Sequence, residues 1–281
     1  MATIHPSSVV EPGARIADDA VVGPFCHIGP DVRIGHGSRL VSHVSVYGRT
    51  TIGTHNVLWP HATVGADPQD LKFKGEDSRL VIGDYNDIRE NVTIHKGTDS
   101  GGGVTRVGDH NLLMAYVHVG HDCTLGSHIV IANAVQLAGH ILVEDHANIG
   151  GASAVHHWVT IGQYAFIAGM TRIVADVPPF VIVEGIPARV RRVNTVLLKR
   201  HHFPQAQIDR LKDACRRLYG HNEEGGLVGN TTQNITALEA LYPDDWAVHA
   251  LIEATRKSAR GIYGRYREAS RHDNRYTNPV R

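Results

Sequence analysis

The chain has 281 residues, enough for one large domain or two smaller ones. Hydrophobic residues make up 42% and aromatics only 6%, with 29 glycines, a composition suited to short strands and tight turns. Formal net charge is zero, but residues 1–186 carry 11 Lys/Arg against 18 Asp/Glu and residues 187–281 carry 17 against 10, so the basic end calls for an acidic protein, a phosphate or a nucleic acid. Cys26, Cys123 and Cys215 are far apart and form no CxxC, which argues for a reducing compartment and against a disulfide framework. There is no basic start followed by an apolar run and no stretch of 18 apolar residues, so neither a signal peptide nor a membrane-spanning segment is expected. The expected location is the cytoplasm.

From the N-terminus, an aliphatic residue heads a six-residue unit again and again. The heads run from Ile4, Val10 and Ile16 to Val64, resume at Ile82, Ile88 and Ile94, and return from Val107 to Ile173. Six is not a helical period. It fits a short strand and a turn, repeated so that each unit stacks on an earlier one and buries its head there. With three units per turn, residues 18 apart lie one above the other, about 4.8 Å apart. The pattern predicts a parallel β-helix. The general rule for parallel crossovers would make it right-handed; the resemblance described below implies the opposite hand.

The frame lapses twice. Between Gln69 and Val81 the head positions are polar, and from Thr98 to Arg106 the triplet Gly101-Gly102-Gly103 shifts the phase by one. Both read as loops, 68–81 and 98–106, thrown out of the coil on its binding face. Repetition stops at Asp176-Val177-Pro178-Pro179, placing the coil at 1–187. Residues 188–263 read as a helical domain: a short helix near Asn194, a face of Ile208, Leu211, Cys215 and Leu218 ended by Gly220, a face of Ile235, Leu238 and Leu241, and an Asp244-Asp245 cap before Trp246. Residues 264–281 are polar and Arg-rich, and a disordered tail is expected there.

Histidine is in excess: 20 in all, 15 of them in the repeat half. His27, His36, His43, His55 and His110 fall at outward turn positions and read as solvated. His118 and His121-Asp122 differ. Counting in eighteens stacks His121, Gly139-His140 and His156-His157 on one face, with His95 just beneath. A solvated polar ladder would explain the column without function. Zinc would need convergent histidines at tetrahedral distance. Acid–base work is the better supported reading, because imidazole titrates near neutrality and Asp122 beside His121 can fix its tautomer.

Several runs go further than the repeat: Val22-Gly-Pro-Phe-Cys26, Pro68-Gln-Asp-Leu-Lys72, Ile88-Arg-Glu-Asn-Val-Thr-Ile-His95, His121-Asp-Cys-Thr124, Leu137-Ala-Gly-His140, Ala154-Val-His156 and Asp176-Val-Pro-Pro179. In these the chain resembles the UDP-N-acetylglucosamine O-acyltransferases, from about Ile4 to Arg200 and more weakly through the helices. The resemblance implies a left-handed parallel β-helix with a C-terminal helical domain, assembled as a homotrimer with active sites between subunits. It implies transfer of a 3-hydroxyacyl chain from acyl carrier protein to the 3-hydroxyl of UDP-N-acetylglucosamine, the first step of lipid A biosynthesis. No cofactor or metal is implied, since the acyl donor is acyl carrier protein with its phosphopantetheine arm.

The resemblance also assigns roles. His121 stands at the general base, Asp122 at the residue that orients it, and Gly139 at the backbone N–H that stabilises the oxyanion. Gln69, Asp70 and Lys72 match contacts to sugar and phosphates; His95, His118, His140, His156 and His157 line the same cleft; Asn194 and Arg200 match the nucleotide end. Gly169 matches the position limiting acyl length, with Met170 beside it. Three positions depart from the pattern: His157 stands for a usual Gln, Val196 for an acidic residue, and His201 for the second of a basic pair. Acyl carrier protein is acidic, so Lys199, Arg200, Arg210, Arg216 and Arg217 are candidates to steer it, and nucleic acid drops out as a partner. Rival readings are an N-acyltransferase on the 3-amino sugar analogue, a zinc lyase of carbonic anhydrase type, and a non-catalytic binding solenoid. The last would show regular threonine or aromatic ladders, and none is apparent in the sequence.

Overall fold

The computed structural model describes residues 1–220 and 230–271. The six-residue units form a three-sided, left-handed parallel β-helix. Three parallel sheets are its walls. Sheet A begins with Thr3–Ile4, sheet B with Val9–Val10 and sheet C with Arg15–Ile16. Strands one coil apart pair 18 residues apart, as in Val22↔Leu40 and Val119↔Leu137. The aliphatic heads point inward, and from Val22 to Ile173 they form one buried column. Ile4 remains 41% exposed because no coil lies below it.

Turns between strands form three corners, A–B, B–C and C–A. At each, one turn residue adopts left-handed φ, for example Ala134 (60°), Asp122 (59°) and His128 (59°). That conformation is unfavourable for residues with a Cβ, and coil-to-coil hydrogen bonds such as His140 N–H to the His121 carbonyl (2.9 Å) hold it in place.

Both predicted insertions leave from the B–C corner. The first lengthens the coil step so that Arg49 pairs with Arg79, and the second so that Arg79 pairs with Val104. The second step is not a multiple of six, which is why the phase shifts by one.

The coil is closed by Val181–Glu184, which pairs antiparallel with Arg189–Val193. Residues 189–193 are therefore strand and not helical domain, a correction to the boundary at 188: their order, Arg-Val-Arg-Arg-Val, alternates as in a strand except at a bulge at Arg191. Helices α1 (Thr195–Arg200), α2 (Gln205–Tyr219), α3 (Thr231–Leu241) and α4 (Trp246–Arg260) follow. α2 buries Ile208, Leu211, Cys215 and Leu218. Asp245 caps α4 by accepting from the N–H groups of Ala247 and Val248.

The expected disordered tail also needs correction. Residues 264–271 lie back on the coil through a 3-10 turn, Tyr266–Ser270, with Tyr266 N–H donating to Asp176 (2.8 Å) and Arg265 to the Val174 carbonyl (2.6 Å). Low apolar content did not prevent ordering because the segment is held by charged and backbone hydrogen bonds. The rest of the expected tail, 272–281, lies outside the described residues.

Candidate active site

At the B–C corner the turn Gly120–Cys123 carries His121 and Asp122. The His121 imidazole donates from Nδ1 to Asp122 Oδ2 at 2.8 Å. The Asp122 side chain is fully buried. It is held by the second loop: Thr98 N–H donates to Oδ1 (2.8 Å) and Thr98 Oγ1 to Oδ2 (2.6 Å). Asp122's own N–H donates to Thr105 Oγ1 (2.8 Å). The glycine triplet lets this loop approach, since a Cβ on Gly101 would fall 1.9 Å from the Asp122 carboxyl carbon. With Nδ1 engaged, Nε2 of His121 is the basic nitrogen. It looks towards Asp70 of the first loop, 4.0 Å away.

One coil on, Gly139 occupies the position of His121. A Cβ there would lie 2.6 Å from Cε1 of the His121 ring, so the imidazole fills space that only glycine leaves. Among the described residues the Gly139 N–H has no hydrogen-bond acceptor. His140 meets His121 edge-on with ring centres 4.9 Å apart, and stacks flat on Trp158 at 4.2 Å.

His118 and His95 form the lower wall, 5.2 Å apart. His95 Nδ1 donates to the Asp67 carbonyl (2.5 Å), and His118 Nδ1 bonds Thr93 Oγ1 (2.8 Å). Burial, and then the nearby His95 and His121, push the His118 pKa from 6.5 down to about 4. His118 is therefore neutral near pH 7. His121, Asp122 and His140 each offer a ligand atom within 4.8 Å of the others. The Asp122 oxygens, however, already accept from Thr98 twice and from His121.

The corner thus brings together Asp70, His95, His118, His121, Asp122, Gly139 and His140. Gln69 and Lys72 are exposed on the first loop, and His156 and His157 follow one coil above Gly139, with ring centres 3.8 Å apart. The remaining predicted residues stand elsewhere in the chain. Asn194 caps α1 at the C–A corner, its amide donating to the Tyr164 carbonyl (3.0 Å), and Arg200 is exposed at the end of that helix. Gly169 and Met170 are exposed at the A–B corner.

Two family models match: "Udp N-acetylglucosamine O-acyltransferase; Domain 2" over residues 176–263, and bacterial transferase hexapeptide repeats over 13–48. The acyl-[acyl-carrier-protein]–UDP-N-acetylglucosamine O-acyltransferase of Saccharophagus degradans is 43% identical over 262 residues, 93% of this chain and 99% of the relative. Its counterpart from Rhizobium johnstonii is 41% identical over 251 residues, 89% and 90% of the two chains. The chain belongs to the UDP-N-acetylglucosamine O-acyltransferase family. It is an acyltransferase.

Solved acyltransferases of the family share the whole shape. LpxA from Acinetobacter baumannii superposes with a TM-score of 0.85 at 38% identity, over 92% of this chain and 98% of that one. The Bacteroides fragilis enzyme gives 0.87 at 36%, over 92% and 99%.

Among residues at this corner that the sequence did not single out, Thr98 and Thr105 are the most telling, because they fix Asp122. The glycine triplet marked their loop but not its target. Two of the three departures find local partners. His201 packs its ring edge on His146 (4.5 Å), and His157 Nε2 lies 3.9 Å from Glu268. Val196 is exposed and nothing in the structure explains it. Several candidate steering cations are engaged within the chain: Arg210 with Asp245, and Arg216 and Arg217 with Asp213.

Proposed function

We propose that the enzyme moves a 3-hydroxyacyl chain from acyl carrier protein to the 3-hydroxyl of UDP-N-acetylglucosamine, as the first step of lipid A biosynthesis in the cytoplasm. His121 Nε2 takes the hydroxyl proton while the sugar oxygen attacks the thioester carbonyl. The oxyanion accepts from the Gly139 N–H. Collapse of the tetrahedral intermediate breaks the C–S bond, and the leaving phosphopantetheine thiolate takes the proton back from His121. Asp122 holds the tautomer and stabilises the imidazolium. The observation that carries this reading is the His121–Asp122 bond set directly beneath a glycine whose N–H has no acceptor among the described residues. A positioned base is worth about 10²–10⁴ in rate and an oxyanion donor about 10²–10³.

The reaction needs no cofactor or metal beyond the carrier's arm. Gln69, Asp70 and Lys72 would hold sugar and phosphates, His95, His118, His140, His156 and His157 would line the cleft, and Asn194 and Arg200 would take the nucleotide, where a guanidinium suits diphosphate. Gly169 and Met170 would bound the acyl chain. These groups are spread over all three corners of one chain, which supports a homotrimer with sites shared between subunits. Mixing His121→Ala with Arg200→Ala subunits should then restore turnover that neither variant has alone.

The direct test supplies 3-hydroxyacyl carrier protein with UDP-N-acetylglucosamine or its 3-amino analogue. Ester formation with the first sugar is expected. Turnover of the amino sugar alone would replace the reading with N-acyl transfer. Stoichiometric zinc with CO₂ hydration would replace it with a lyase.

A further inference from the structure

Residues 264–271 reach the proposed oxyanion turn. The turn Ala138–Ile141 carries the Gly139 N–H and is anchored on two sides. Cys123 Sγ donates to the Ala138 carbonyl at 3.0 Å, the other end of the peptide unit whose N–H belongs to Gly139. Burial raises the Cys123 pKa to about 12, which keeps it a thiol donor. From the other side Arg267 Nη1 donates to the His140 carbonyl at 2.8 Å. One residue on, Glu268 is paired with Arg265 (2.5 Å) and lies 3.9 Å from His157 Nε2, one coil above Gly139.

Arg267 is oddly placed for a mere staple. Burial lowers its pKa, and it makes no ion pair among the described residues. Asp176, the carboxylate in electrostatic reach, instead accepts from the N–H groups of Thr160 and Tyr266. Arg267 is half-buried; a partly buried cation without a carboxylate partner carries a desolvation cost, and a neutral residue would tie the segment down with less penalty. What the guanidinium adds is a charged hydrogen bond to the turn above His121, and a positive charge behind the place where negative charge would develop.

We infer that residues 264–271 form a strap that sets the geometry of the oxyanion turn, with Arg267 as a positioning residue acting through His140. The inference rests on the roles proposed for His121 and Gly139. A misplacement of about 1 Å in such a group costs up to about 10²-fold in rate. Arg267→Ala should therefore lower kcat about 10- to 100-fold while KM for the sugar nucleotide changes little. Added guanidinium should restore part of that kcat, and Arg267→Lys, which keeps the charge, should fall between the two. If Arg267→Ala does not fold, Arg267→Lys alone decides, and a lowered kcat at unchanged melting temperature is expected.

Wild-type kcat in a folded variant would overturn the inference. So would a loss matched by a smaller folded fraction and untouched by guanidinium. His121→Ala in the same assay separates the two levels. If it stays active, the catalytic reading fails; if it is dead while Arg267→Ala is normal, only the strap fails.

Discussion

The C–A and B–C corners are built from the same repeat and both carry columns of histidine, yet they are arranged differently. At the C–A corner His55, Tyr85, His110, His128, His146 and Tyr164 stack face to face, with ring centres 4.6–4.9 Å apart and planes within 12°. Turn N–H groups there are capped from the next coil, as Ser127 N–H is by Asp145 (2.7 Å) and Asp84 N–H by Asp109 (2.7 Å). Inside, Asn56, Asn86 and Asn111 pass hydrogen bonds from coil to coil. The same turn and stacked ring recur from coil to coil. At the B–C corner His121 and His140 meet at 89°, a glycine interrupts the column, and two loops enter. One corner uses imidazole as a flat ring at the coil spacing. The other holds an imidazole by one nitrogen and turns the second towards the first loop. The number of histidines does not separate structure from chemistry here; the break in stacking does.

The contrast can be broken in order of expected effect. Gly139→Ala should be the most damaging of the small changes, because its methyl would displace the His121 ring. A fall in kcat of about 10²-fold is expected with KM little changed, and a structure of the variant should show the ring moved. Thr98→Val removes one hydrogen bond to a buried carboxylate. A charged hydrogen bond of about 1.5–3 kcal/mol corresponds to roughly 10- to 100-fold in kcat if it is fully expressed in catalysis. The same change at Thr54, beside the stacked corner, should leave kcat alone.

The smallest effect concerns acid stability. His118 has a folded pKa of about 4 against 6.5, so between those values the unfolded chain binds the extra proton. Stability should therefore fall as pH drops from about 6.5 to about 4 and level off below. His118→Gln should flatten that slope in melting temperature against pH, and an unchanged slope would show that His118 is not the group responsible.

Much of this was legible in the sequence. The hexad period gives the coil, its lapses give both insertions, and counting in eighteens puts Gly139 over His121. Two things were not. The aromatic ladder was not apparent: His55 and His110 are exposed at outward turn positions, as expected, but Tyr85 and Tyr164 continue a column whose other members are histidine and two insertions disturb the spacing. The order of residues 264–271 was also hidden, since Arg265, Tyr266 and Arg267 donate to the Val174 carbonyl, the Asp176 carboxylate and the His140 carbonyl, which lie about 90 or more residues away in the sequence. Local composition carries no sign of such partners.

The most direct test compares His121→Ala with His128→Ala, one from each column, by turnover of UDP-N-acetylglucosamine with 3-hydroxyacyl carrier protein. The first should lose about 10²–10⁴ in kcat while keeping its fold. The second should keep kcat within about twofold and lose about 0.5–1.5 kcal/mol of stability from its ring contacts. Equal losses of activity in the two variants, or full activity in His121→Ala, would contradict the division of the two corners into frame and chemistry.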